Sequence, residues 1–119
     1  MRELLNIFDV GGEIIKDNEV YTLKDNTTLN NLVISSTDMK PHKSTNGHSH
    51  PGQEEVYYFV NGTGMMYLNN VPRKVGPGDV VLIEDGVHHK VVNDTTDSLY
   101  FVCVKTVILA DDDQLLPAC

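Results

Sequence analysis

The segment His48-Ser49-His50-Pro51-Gly52-Gln53-Glu54-Glu55 sets two imidazoles one residue apart and then a carboxylate. A second segment, Glu84-Asp85-Gly86-Val87-His88-His89, supplies a further imidazole. Three imidazoles and one carboxylate are a mixed nitrogen and oxygen donor set suited to one divalent transition ion, with Mn, Fe, Co, Ni, Cu and Zn all compatible. Residues two apart on a strand point the same way, so His48 and His50 project together. Glu55 has the wrong parity to join them on an unbroken strand. Pro51-Gly52 supplies the break, because proline fixes one backbone dihedral and glycine accepts unusual ones. By the same alternation His88 should face away from His89 and stay out of the donor set.

Short β segments must position these groups. Val20 to Leu23 is a weak strand candidate and Leu32 to Ser35 a stronger one, with a turn expected over Asp25 to Thr28 between them. Val56-Tyr57-Tyr58-Phe59-Val60 is β-branched and aromatic and reads as a strand. Asn61-Gly62 then reads as a hairpin turn into Met65 to Leu68. Further turns are expected at Asn69-Asn70, at Arg73-Lys74 beside Pro72, and at Pro77-Gly78-Asp79. Val80 to Ile83, Lys90 to Val92 and Leu99 to Val107 complete the series, and Glu3 to Phe8 could form a short turn. No amphipathic helix of normal length is legible. Strands at this spacing, separated by Gly, Pro, Asn and Asp, imply an all-β sandwich or barrel. Tyr57 and Phe59 share the parity of Glu55 and are expected in the core or lining a pocket. One of Met65 and Met66 should be core.

The two chemistry-bearing segments resemble the cupin family. His48-x-His50, four residues, Glu55, six residues, Gly62 fits that family's first motif. Glu84-x-Gly86-x-x-His89-x-x-x-Asn93 fits the second, with Glu84 in place of a proline; His42 stands where the first motif opens with glycine. The resemblance implies a single-domain jelly-roll barrel (a double-stranded β-helix) over residues 1–119, with core motifs in 42–93 and a flexible tail at 110–119. It implies His48, His50, Glu55 and His89 as metal ligands. The six-residue spacing to Gly62 selects Glu55 over its neighbour Glu54. Asn93 is expected to fix a turn through side-chain hydrogen bonds to backbone. Small single-domain members pair, and a long last strand with a free edge would be a template for a second copy; a homodimer is expected.

Length and charge agree with this. A chain of 119 residues can bury a core without disulfide staples. Cys103 and Cys119 are expected as free thiols in a reducing, cytoplasmic compartment. The N-terminal segment lacks a secretory signal's apolar core, and no stretch approaches membrane-spanning length. A formal net charge of −8 argues against a nucleic-acid partner, since phosphate neutralisation requires clustered Lys and Arg. The expected partner is a small molecule.

Three function classes follow. The first, preferred, is a metal-dependent isomerase or tautomerase on a sugar-like or hydroxy-carbonyl compound, with Glu55, Tyr57 or His42 moving the proton. The second is a non-haem iron dioxygenase on a small diol or thiol. The third is a non-catalytic module that binds a metal and a small ligand. Lys40, Lys43 and Lys90 lie near the motifs, and neither arginine, Arg2 or Arg73, is well placed to meet an anionic ligand.

Overall fold

The computed structural model describes residues 3–107, which hold nine strands and no helix. These are β1 (Glu13–Asp17), β2 (Tyr21–Asn26), β3 (Leu32–Met39), β4 (Glu55–Asn61), β5 (Gly64–Leu68), β6 (Val71–Val75), β7 (Val80–Ile83), β8 (His89–Val92) and β9 (Leu99–Thr106). They form two antiparallel sheets, one of six strands in the order β1-β2-β3-β9-β4-β7 and one of three in the order β6-β5-β8. The tail expected over 110–119 lies outside the described residues, as does Cys119.

Turn chemistry sets the corners. His50-Pro51-Gly52-Gln53 and Gly76-Pro77-Gly78-Asp79 each place proline second and glycine third. The fourth residue donates its N–H to the first carbonyl, at 3.1 and 3.0 Å. Gly52 and Gly78 have φ of 81° and 90°, the left-handed conformation that a type II turn demands of its third residue. Asn69 and Asn70, both at positive φ, make the two-residue hairpin from β5 to β6.

Four local expectations change. Asn61-Gly62 is not a hairpin, because β4 and β5 belong to different sheets; the chain crosses there, with Gly62 packed against the Ser98 carbonyl, where a Cβ would collide. Arg73 and Lys74 lie in strand β6 rather than a turn. Pro72 is tolerated there because β6 is an edge strand. Asp25 and Asn26 finish β2 rather than a turn, and β1, five exposed residues without alternation, was not legible. Finally, β9 is not an edge: it pairs with β3 on one side and β4 on the other. The argument for pairing through its free edge therefore falls.

The buried face of the large sheet is graded along the strands. Cross-strand partners share a face, so Val33, Lys105, Glu55 and Ile83 form one inward row and Asp25, Ser35, Cys103, Tyr57 and Val81 the next. The rows that follow bring Leu23, Thr37, Phe101 and Phe59, then Met39 and Leu99. One end of the interior is thus polar and the other apolar. Phe59, Phe101, Met39, Leu99 and Met66 close the apolar end, with Phe59 and Phe101 rings 5.2 Å apart. Met66 is core and Met65 only half-buried. Cys103, buried in this cluster, is disulfide-bonded rather than a free thiol.

Candidate metal centre

The polar end carries the donor set. On β4 the alternation is strict: Gln53, Glu55, Tyr57 and Phe59 are buried, while Glu54, Val56 and Tyr58 are exposed. Pro51-Gly52 turns the chain just before this strand, so the histidine segment folds back across it. His48 then pairs with His89 as an isolated antiparallel bridge, its N–H on the His89 carbonyl at 3.1 Å and the reciprocal bond at 2.9 Å. His48 and His50 sit in this bridge and loop, not in a regular strand.

One donor atom from each of His48, His50, Glu55 and His89 lies within 4.8 Å of all the others. Ligands about 2.1 Å from a common ion stand roughly 3 Å apart when adjacent and roughly 4 Å when opposite. The 4.8 Å bound on the four donor atoms is slightly wider than that envelope, so a small inward shift of the side chains would close them round one ion. The Nε2 atoms of all three histidines and both Glu55 carboxylate oxygens are buried and have no partner in hydrogen-bond geometry. His89 Nε2 stands 2.9 Å from Glu55 Oε2, yet the approach is not that of a hydrogen bond. The lone pairs converge on shared space. His89 Nδ1 faces the Val87 carbonyl at 2.9 Å, which fixes the ring and leaves Nε2 as donor.

The electrostatics favour the neutral form of His48 and His50. Burial, reinforced by the nearby His89 and His50, lowers the His48 pKa to about 4. His50 is lowered mainly by burial. Burial pushes Glu55 up, but its contact with His89 and the neighbouring cations outweigh this and hold it below the usual carboxylate range. Neutral imidazoles and an ionised carboxylate are the protonation states a metal requires. We expect Glu55→Gln to weaken metal binding at least tenfold and Glu54→Gln to leave it within twofold. Isothermal titration with Zn2+ reads both, and the reverse order would show that Glu54 is the ligand.

The other singled-out residues divide. Tyr57 is fully buried, its ring edge-on to His89 at a centroid distance of 5.6 Å. Burial, with Glu55 alongside, raises its pKa well above the ordinary phenol value. His42 stands apart: it is exposed, with φ of 57° and its N–H on the Thr95 carbonyl, and it is not grouped with the donor atoms. The His88 ring packs over Gly47, away from the cluster. Asn93 is completely buried. Its Nδ2 reaches the carbonyls of Lys40 at 3.1 Å and Asp97 at 2.8 Å, and its Oδ1 accepts from the Thr95 N–H and hydroxyl. It ties the loop after β3 to the loop after β8.

Sequence reasoning missed three interior groups. Lys105 is 5% exposed and pairs in register with Glu55. Gln53 is 3% exposed, and Asp25 is half-buried on the same inner face. The signal was period two: Lys105 shares parity with Cys103 and Phe101, and Gln53 with Glu55. By contrast Lys40 reaches the Asn18 carbonyl and Lys90 lies over the Tyr67 ring.

With this geometry in hand, the comparisons agree. The cupin domain family model matches residues 35–105, and the chain belongs to that family. A glucose-6-phosphate isomerase from Thermococcus kodakarensis is 28% identical over 109 residues, covering 77% of this chain and 58% of that protein. A 5-aminosalicylate 1,2-dioxygenase from a Comamonas species is 29% identical over 79 residues, covering 66% of this chain and 21% of that protein. In both cases less than two thirds of the relative is spanned. A double-stranded β-helix protein from Klebsiella pneumoniae superposes with a TM-score of 0.76 at 16% identity, over 89% of this chain and 90% of that one. That likeness shows the fold. Among the described residues, no helix is long and apolar enough to cross a membrane.

Proposed function

We propose that this cupin is a metal-dependent isomerase or tautomerase acting on a small hydroxy-carbonyl compound. The observation that carries the reading is the convergence of four metal-ligating side chains at the polar end of the interior, with a buried phenol beside them. A divalent ion held by His48, His50, Glu55 and His89 would supply Lewis acidity toward adjacent substrate oxygens. The chain's own contribution is proton handling and exclusion of water. Tyr57 keeps a proton at its hydroxyl, because burial and Glu55 oppose ionisation. It can therefore donate a hydrogen bond to a developing oxyanion while keeping its proton. Likeness to the Thermococcus isomerase supports this class.

Likeness to the Comamonas dioxygenase supports a second reading, in which iron and oxygen do the chemistry. The test separates them. We expect metal-loaded protein to exchange a substrate carbon-bound hydrogen with deuterated water under anaerobic conditions, over a panel of sugars, uronates and hydroxy-ketones. Tyr57→Phe should keep the metal and slow exchange on the order of a hundredfold. Oxygen uptake in step with substrate loss would establish the dioxygenase instead. Ligand binding with neither signal would mean a non-catalytic module.

Self-association belongs to the same reading, on a different surface from the β9 edge. Val56, Tyr58, Val80 and Leu82 are exposed side by side on the outer face of β4 and β7. An apolar face of this kind suits a second copy. A dimer mass is expected by light scattering at micromolar concentration, and a monomer would refute it.

A further inference from the structure

We propose that Lys105, flanked by Gln53 and Asp25, is the anion-recognising wall of the ligand site, and that the ligand is a small metal-chelating carboxylic acid of the hydroxy- or keto-acid type. The proposal rests on the metal-site reading above and narrows its substrate class.

Three observations carry it. The first is placement. Lys105 stands directly across from Glu55 on β9, and Gln53 precedes Glu55 by two residues on the same face. Asp25 lies in the adjoining inward row, and Lys105 interacts electrostatically with it as well as with Glu55, His48 and His50. All of these groups belong to the polar end.

The second is unmet polarity. Gln53 donates its side-chain amide N–H to the Thr106 carbonyl, while its Oε1 is buried without a hydrogen-bond partner. Asp25 Oδ1 is likewise buried and unpartnered. A buried acceptor without a donor costs free energy, and a ligand hydroxyl would satisfy it.

The third is charge. A divalent ion brings two positive charges and Lys105 one more, against one negative charge each from Glu55 and Asp25. One positive charge remains in a low-dielectric interior. A monoanion neutralises it, whereas a neutral sugar does not. A carboxylate with an oxygen on the next carbon would chelate the ion and present its charge toward Lys105.

The test uses the full chain loaded with Co2+, whose visible spectrum reports on ligands entering the metal site. Glycolate, lactate and pyruvate are titrated into the wild type, Lys105→Met and Lys105→Arg. Lys105→Met should bind these acids at least tenfold more weakly. It should also bind Co2+ as tightly as the wild type or several-fold more tightly, since a cation repelling the metal has been removed. Effects of opposite sign do not arise from misfolding. Lys105→Arg should recover most of the acid affinity. Unchanged acid binding in Lys105→Met, or no spectral response to any acid in the wild type, would overturn the proposal. So would loss of Co2+ from both variants, because that would make Lys105 a prop of the metal site. If the wild type itself fails to bind Co2+, the metal-site reading fails instead.

Discussion

Replacing His48 and His50 together by alanine should abolish tight metal binding, reducing affinity by at least a thousandfold. The two imidazoles are half of the donor set, and their Nε2 atoms have no other buried partner to hold them. The β scaffold does not depend on them in the same way. The core of Met39, Phe59, Met66, Leu99 and Phe101 lies at the other end of the interior, so the double variant should fold. Circular dichroism and elemental analysis after dialysis would report the two properties separately. One tightly held ion per chain in the double variant would refute the site.

The same logic fixes the effects of chelation and of pH. A ligand that binds only the folded state stabilises it by about 2.7 kcal/mol at a hundredfold excess over its dissociation constant. Removing the metal should thus lower the melting temperature of the wild type without unfolding it. In metal-free protein the His48 pKa of about 4 lies below its unfolded value near 6.5. The unfolded chain binds the proton first as pH falls, so this contribution to stability is complete above about pH 6.5 and is lost between there and about pH 4. Affinity of the folded protein for metal should fall as pH approaches about 4, where protons begin to compete for the His48 nitrogen.

The second large effect is expected at Asn93, away from the donor atoms. Asn93→Ala should destabilise the fold by about 3 kcal/mol, since it removes a buried side chain and its hydrogen bonds to three partly buried backbone groups, each worth about 1 kcal/mol. The melting temperature should drop on the order of 10 °C. Metal affinity at a temperature where the variant is folded should change little, because Asn93 touches none of the four donors. Asn93→Asp is the informative companion. It keeps the acceptor for Thr95 but loses the donor to Lys40 and Asp97, and it should fall between wild type and alanine. A melting temperature within 2 °C of wild type for Asn93→Ala, by calorimetry, would show that the loop is held by other bonds.

The grouping of four side chains that could hold a metal, and the break that reunites them, were legible in the sequence. His48, His50, Glu55 and His89 are near in spacing or carried by recognisable turns. Pro51-Gly52 announces its turn because few residues but glycine accept φ near 80°. The six-residue spacing to Gly62 selected Glu55 over Glu54, and alternation put Tyr57 and Phe59 on the face of Glu55. The period-two pattern reaches no further than its own strand. Which strand lies beside which was set by tertiary pairing, and that decided the rest. Asn61-Gly62 looks like a hairpin, yet β4 leaves for β9 and β7 while β5 joins the other sheet. β9 looks like a free edge and is central, because β3 and β4 hydrogen-bond to its two edges. Lys105 in an apolar run gave no local sign of its partners. Only the β4–β9 register sets it opposite Glu55, fifty residues away in the chain.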